Sequence, residues 1–428
     1  MIWTKVQSIF KNETLRNGVF FTLFSFANKG INFVLLIILA RYITPTEYGY
    51  WSLFGTIVMF VGYFIAMTTE GYITIAYFKD GMSGVKKSFS CILLTTLIVS
   101  CFLISVTSIL RDSLQQILDL PWQYLYLAIG IAFFTIYSNI CLDYLRIKKK
   151  IALYGIFSCS SAILVFGLSI VFVKYCLIGW RGCALAQFIG FLLFGMIGLC
   201  YFLFSKKFEP PNIKHWAKML AWGIPLIPHL ATAFIRFGCD RYIINHYYSI
   251  TDVGIFSFAY TLAMAISTIG MGFNQANSIN IFEVLGNKEI DVHKKNILLK
   301  KQKQNIFLVY IGGTLITILL GTTFIPTLFP QYSSASPLFL ILAFYAFFQC
   351  LYFLYANFFY FYNQTKILMY ITFSFSILHL VLSLLFTKYS LYYTCLIYCI
   401  TQLGVSLLIR RNAIKLLNKQ LNHDINRS

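Results

Sequence analysis

Twelve long, nearly uninterrupted apolar runs constrain this chain more than any other feature. They cover approximately 18–42, 48–69, 89–110, 122–145, 151–176, 183–204, 220–244, 254–272, 306–325, 336–362, 367–386 and 392–409. A membrane-spanning helix needs about 20 apolar residues. Strands of a membrane β-barrel would instead alternate over ~10 residues. Composition agrees: 59% of the 428 residues are hydrophobic and 11% charged, against ~25% charged in soluble domains. Disorder is excluded by the 18% aromatic content, because disordered chains are poor in such residues. The 11 cysteines are dilute and mostly sit inside apolar runs, as at Cys91, Cys101, Cys159, Cys200 and Cys399, where they read as small packing residues. The expected fold is an all-α membrane protein with 12 transmembrane helices.

Lysine and arginine set the orientation. With the N-terminus in the cytoplasm, 26 of the 34 fall on the inner side and four, Arg111, Lys174, Arg181 and Lys388, on the outer side. Both termini are therefore expected in the cytoplasm. No cleavable signal peptide is read, since Lys5, Lys11, Glu13 and Arg16 precede the first span with no short core and small-residue site. The formal charge of +20 is spread over the inner loops, not gathered in one basic patch, which excludes nucleic acid as a partner and favours contact with the phospholipid bilayer. Residues 293–305, "HKKNILLKKQKQN", read as an amphipathic surface helix. The connections leave no room for a soluble catalytic domain.

The two halves repeat. "TPTEYGYWSLFGTI" (44–57) recurs as "SITDVGIFSFAYTL" (249–262) at an offset of 205, pairing Thr46 with Thr251, Glu47 with Asp252 and Gly49 with Gly254. A second block, Tyr137, Asn139, Tyr144 and Lys148, recurs as Tyr355, Asn357, Tyr362 and Lys366 at an offset of 218. Copies six spans apart keep the same orientation, so the repeats are parallel. The expectation is two six-helix lobes, 1–208 and 209–428, around a central cavity, the architecture of an alternating-access transporter. Thr and Asp/Glu at the block's start also suit helix capping, the stronger reading for Glu47 and Asp252.

Ionisable groups within spans are costly and point to function. Span 1 carries Lys29 between Asn28 and Asn32; span 7 carries Arg236, Asp240 and Arg241, after a bend at Pro225 and Pro228. Lys29 and Arg236, with Asn28, Asn32 and Arg241, are candidate substrate-binding residues of a cationic cavity for an anionic substrate such as a phosphate. The competing reading is an internal Arg236–Asp240 pair, with Arg241 snorkelling to the membrane interface. Glu70, Asp143 and Asp240 are candidates for ion coupling, although Asp143 also reads as an interfacial partner of Arg146. His379 stands alone in span 11, and no two histidines have ligand spacing, so no metal is expected. No cofactor is expected, and no phosphate-binding loop points to direct use of ATP.

Leu39-Ala40-Arg41 followed by Pro45-Thr46-Glu47-Tyr48-Gly49, and Gly223-x-Pro225, Asp240-Arg241 and Asp252-x-Gly254 later, resemble the bacterial polysaccharide exporters. These are the O-antigen or repeat-unit flippases of the multidrug/oligosaccharidyl-lipid/polysaccharide (MOP) superfamily, with a MATE-like fold. The resemblance implies a transporter and not an enzyme, in the bacterial inner membrane. It implies movement of undecaprenyl-diphosphate-linked oligosaccharide to the periplasmic leaflet for O-antigen, capsule or exopolysaccharide assembly. A polysaccharide polymerase and a chain-length regulator are further implied partners. A multidrug extruder would bind organic cations, which deep cations repel. A lipid II flippase would carry extra C-terminal spans, and a polymerase a large outer loop.

Overall fold

The computed structural model describes residues 13–204, 209–287 and 289–425. Lys5, Lys11, Lys206, Lys207, Lys288 and Arg427, counted above for topology, lie outside these residues. The described chain is helical, in the order α1 (Glu13–Leu39), α2 (Pro45–Ile65), α3 (Tyr72–Ile109), α4 (Arg111–Leu118), α5 (Trp122–Ile147), α6 (Ile151–Ile170), α7 (Gly179–Phe204), α8 (Ile213–Gly223), α9 (Ile227–Phe237), α10 (Cys239–Tyr247), α11 (Ile250–Gly286), α12 (Val292–Leu328), α13 (Ala335–Phe361), α14 (Thr365–Phe386) and α15 (Leu391–Ile425). Among the described residues, eleven helices or helix runs are long and apolar enough to cross a membrane, and α1 contributes a shorter apolar stretch, Phe26–Leu39. With α1, a helix of 27 residues at the position of the first expected span, these agree with the expected all-α membrane fold.

Several helices outrun their apolar cores. α3 has 38 residues, about 57 Å at 1.5 Å per residue, well beyond the ~30 Å hydrocarbon core. It is interrupted at Gly81, whose φ of 63° and ψ of −144° suit only a residue without Cβ. The expected surface helix at 293–305 is corrected: those residues form the first part of the 37-residue α12. They lack a Gly or Pro before Ile306 and are rich in Lys, Leu and Gln, all good helix formers, so nothing ends the helix before the apolar run begins. α12 starts at Asp291, whose side chain accepts from the His293 amide. α11 likewise runs on to Gly286, which takes up most of the expected 273–305 connection.

Span 7 is broken twice. Pro225 sits in a 3-10 turn, Ile224–Leu226, with Pro228 in the first turn of α9, as the loss of an amide donor at each proline dictates. A second break, not read from the sequence, falls at Gly238 between α9 and α10.

The chain forms two compact units, 1–43 with 50–234, and 44–49 with 235–428. The division runs inside α9, whereas the expected lobe boundary was at 208/209. In the first unit, Phe89 stacks on Phe202 at 4.6 Å within a core that includes Ile65, Ile92, Tyr137 and Tyr144. α7 approaches α5 closely because Gly195 and Gly198 lie where a Cβ would come within 2.4 Å of the Phe134 and Tyr137 carbonyl oxygens, the small-residue packing expected of membrane helices. The second unit's core joins Leu299, Tyr310, Cys350, Phe358 and Ile409.

The duplicated block has a structural counterpart. Thr44 and Glu47 form a reciprocal capping box: the Thr44 amide donates to Glu47 Oε2 at 3.0 Å and the Glu47 amide to Thr44 Oγ1 at 3.3 Å. At the equivalent positions 205 residues on, the Asp252 amide donates to Ser249 Oγ at 3.2 Å, and Ser249 Oγ donates to Asp252 Oδ2 at 2.6 Å. Glu47 and Asp252 are therefore helix-start residues. The two helix starts also touch, within the second unit. Thr46 Oγ1 and Thr251 Oγ1 share a hydrogen bond of 2.8 Å. A Cβ on Gly49 would meet the Ile250 carbonyl at 2.0 Å, and one on Gly254 would meet the Pro45 carbonyl at 1.7 Å. Each contact is the other shifted by 205, as two related copies meeting about a two-fold axis require.

Candidate functional site

The first unit holds a cavity of about 500 Å³ lined by Thr68, Glu70, Gly71, Asn139, Asp143, Tyr154 and three leucines. It is built on a tight turn after α2, where Met67 and Thr68 take positive φ, 47° and 56°. The turn is pinned by Thr68 Oγ1 donating to the Gly223 carbonyl at 2.5 Å, and Gly223 is required there because a Cβ would lie 2.4 Å from the Met67 carbonyl. Glu70 follows in a 3-10 turn, and its Oε2 is buried without a hydrogen-bond partner among the described residues. Asp143 pairs with Arg146 at 2.8 Å, the pairing its i+3 spacing suggested. Two of the three candidate coupling carboxylates thus share one cavity, joined by Asn139 of the second duplicated block.

The span 1 candidates are not among the residues lining that cavity. Asn28 Nδ2 donates to the Ser158 carbonyl at 2.7 Å and lies 3.2 Å from Ser158 Oγ, so this face of α1 packs on α6. Asn32 Nδ2 donates back to the Asn28 carbonyl at 3.0 Å. Lys29, one position round the helix, is exposed.

The second unit gathers the remaining candidates on α9 and α10. Arg236 is half-buried and donates to Gln402 Oε1 on α15. Tyr398, one turn earlier on α15, donates its hydroxyl to the Arg236 carbonyl at 2.7 Å. Asp240 is 1% exposed. Its partner is His379 of α14, with Nε2 2.7 Å from Oδ2, and His379 is itself 1% exposed. Two expectations are corrected here. The internal Arg236–Asp240 pair does not form, because the break at Gly238 removes the i,i+4 register that would align them. His379, read as standing alone, is the hydrogen-bond partner of Asp240. Arg241 donates to the Phe237 carbonyl and stands over the Tyr260 ring at 5.5 Å, so it packs on a tyrosine cluster in place of the expected reach toward an interface. In that cluster Tyr345 and Tyr398 are 5.1 Å apart and Tyr260 and Tyr398 5.6 Å apart.

The consequence is electrostatic. Asp240 is taken by His379, so Arg236 makes no ion pair among the described residues. It is left with a neutral amide, which holds the guanidinium in place without cancelling its charge. Polar residues in apolar spans, His379, Thr401 and Gln402, were the signal that could have revealed these partners. Spacing along one helix could not, since all three lie on other helices.

The fold is MATE-like. It is similar to a multidrug resistance MATE family transporter in an inward-facing conformation, with a TM-score of 0.68 at 15% identity over 95% of this chain and 96% of that one. It is similar to the MATE multidrug transporter DinF-BH, with a TM-score of 0.64 at 16% identity over 93% and 94%. An outward-facing MATE transporter of the MOP superfamily gives 0.60 at 14% identity over 97% and 98%. The family model described as "Polysaccharide biosynthesis protein" matches residues 14–282, and the chain belongs to that family. A Haemophilus influenzae protein of the Lsg locus is 22% identical over 299 residues, 66% of this chain and 69% of its own.

Proposed function

We propose that this protein is a flippase that carries undecaprenyl-diphosphate-linked oligosaccharide from the cytoplasmic to the periplasmic leaflet of the bacterial inner membrane by alternating access. The observation that carries the reading is Arg236, a guanidinium within a broken span of a polysaccharide biosynthesis family member, held by Gln402 and, among the described residues, unmatched by a carboxylate. Such a group offers a diphosphate paired charge-assisted hydrogen bonds. A multidrug extruder of this fold would find the same charge repulsive to organic cations. Lys29, an exposed cation of the first unit, is a separate candidate for contact with an anionic group. The product would feed O-antigen, capsule or exopolysaccharide assembly, with a polymerase and a chain-length regulator as downstream partners.

The test is a reconstituted assay. In proteoliposomes holding a fluorescent short oligosaccharide on undecaprenyl diphosphate, the protein should speed loss of the probe from one leaflet. Uptake of an organic cation with no movement of the lipid probe would reject the reading in favour of an extruder. Orientation has its own check. A membrane-impermeant thiol reagent applied to intact cells should label a Ser333→Cys variant and leave a Lys301→Cys variant unlabelled; the reverse would overturn the assigned topology.

A further inference from the structure

His379 has a polar partner on each side. Its Nε2 lies 2.7 Å from Asp240 Oδ2. Its Nδ1 lies 3.2 Å from Thr401 Oγ1, which has the Ile397 carbonyl at 2.6 Å as an acceptor for its own proton. The arrangement suits an imidazolium, in which both ring nitrogens donate, beside a carboxylate. Both residues are 1% exposed.

The surroundings identify the group that can change state. The phenols of Tyr398 and Tyr345, and the thiols of Cys395 on α15 and Cys239 on α10, interact with Asp240. All are ordinarily neutral at pH 7. Tyr260 of α11 and Cys399 of α15, one layer out, are of the same kind. The cations on the adjoining helices are Arg236 and Arg241, both permanently charged. No second carboxylate faces the pair among the described residues. His379 is the side chain here whose ordinary range spans physiological pH. The hydroxyls of Ser383 and Tyr398 also interact with the Asp240 carboxylate.

We propose that the Asp240–His379 pair is a proton-binding site that sets how much of the Arg236 charge is available to an anionic substrate. Loss of the Nδ1 proton leaves a neutral imidazole still donating to Asp240 Oδ2, and takes the buried pair from zero net charge to −1. A buried, uncompensated charge is costly. Arg236, four residues before Asp240 on the broken span, answers that charge and is drawn from the substrate. With the proton held, Arg236 has only Gln402 and is open to an anion. Binding is reciprocal, so the anion in turn favours proton retention. The linkage to a lipid diphosphate rests on the flippase reading; the proton site itself does not.

Two measurements on the full-length protein in lipid nanodiscs test this. In nitrogen NMR of protein carrying labelled histidine, with His379→Gln identifying the signal, His379 should show two protonated ring nitrogens at about pH 6.5. A neutral ring there would overturn the proton site, whatever the substrate. Binding of undecaprenyl diphosphate should weaken about tenfold between about pH 5.5 and pH 8.5. His379→Gln, which removes the imidazole from beside Asp240, should bind at the weak level at about pH 8.5 and lose the wild-type transition. The double change Asp240→Asn with His379→Gln, neutral at every pH, should restore the tight level, also without pH dependence. A wild-type slope in His379→Gln, or a double variant as weak as the single one, would overturn the linkage, since a merely structural pair would not be rescued by neutrality. Absence of wild-type binding at every pH would refute the lipid-diphosphate reading and the linkage together, with the NMR signal still deciding the proton site.

Discussion

Replacing Arg236 with alanine should abolish surface polysaccharide while the protein remains in the membrane at normal abundance. The side chain donates to Gln402 of α15, and a second tie to the same helix is through the backbone, where Tyr398 donates to the Arg236 carbonyl at 2.7 Å. Alanine keeps that bond. What it removes is a half-buried guanidinium with no carboxylate partner among the described residues, and hence its contacts to an anion. Hydrogen bonds to charged groups contribute about 1.5–3 kcal/mol each, so loss of two would lower transport by at least about 100-fold. Lysine at 236 should restore part of the activity, because it keeps the charge and loses the planar fork. The measurement is polysaccharide output from cells lacking the native gene, with a blot for membrane protein. Lys29→Ala gives the companion value for the exposed cation of the first unit. Normal output from both alanine variants would end the case for cationic substrate binding.

The second large effect lies at the duplicated helix starts. Gly254→Val should lower the stability of the purified protein by about 3 kcal/mol or more, the upper end for overpacking. The opposing atom is the Pro45 backbone carbonyl, 1.7 Å from the new Cβ, and backbone cannot rotate aside as a long side chain would. Gly49→Ala should act in the same direction through the Ile250 carbonyl. Gly312→Ala is the control, with nothing within 4 Å of its added Cβ, and should stay within about 0.5 kcal/mol as surface changes do. Thermal unfolding in detergent, followed by tryptophan fluorescence, reads all three. Equal melting temperatures for Gly254→Val and Gly312→Ala would contradict the close contact.

The repeat shows how far residues alone can lead. Its capping role at Glu47 and Asp252 was readable because a capping box spans three residues and is local. The contact between the copies was not, although the glycines were in plain view: Gly49 and Gly254 could equally have served a turn. Only the close approach of two carbonyls explains them. The same holds for the broken seventh span. Proline announces its bend through a missing amide, so Pro225 and Pro228 could be read directly. Gly238 carries no such obligation, and its break, which separates Arg236 from Asp240, appeared only in three dimensions.

The sequence by itself determined the membrane class, the position of nearly every span and the duplication, because each depends on hydropathy summed over about 20 neighbouring residues or on identity at a fixed offset. It also singled out Arg236 and Asp240, since a charge in an apolar run is anomalous wherever the chain folds. Tertiary structure alone decided whom those charges meet. Asp240 took His379 from α14 and Arg236 took Gln402 from α15, partners 139 and 166 residues away. Coulombic and hydrogen-bond energies fall off over a few ångströms of space and take no account of separation along the chain. A pairing that looked natural at i,i+4 therefore gave way once one glycine broke the helix between them.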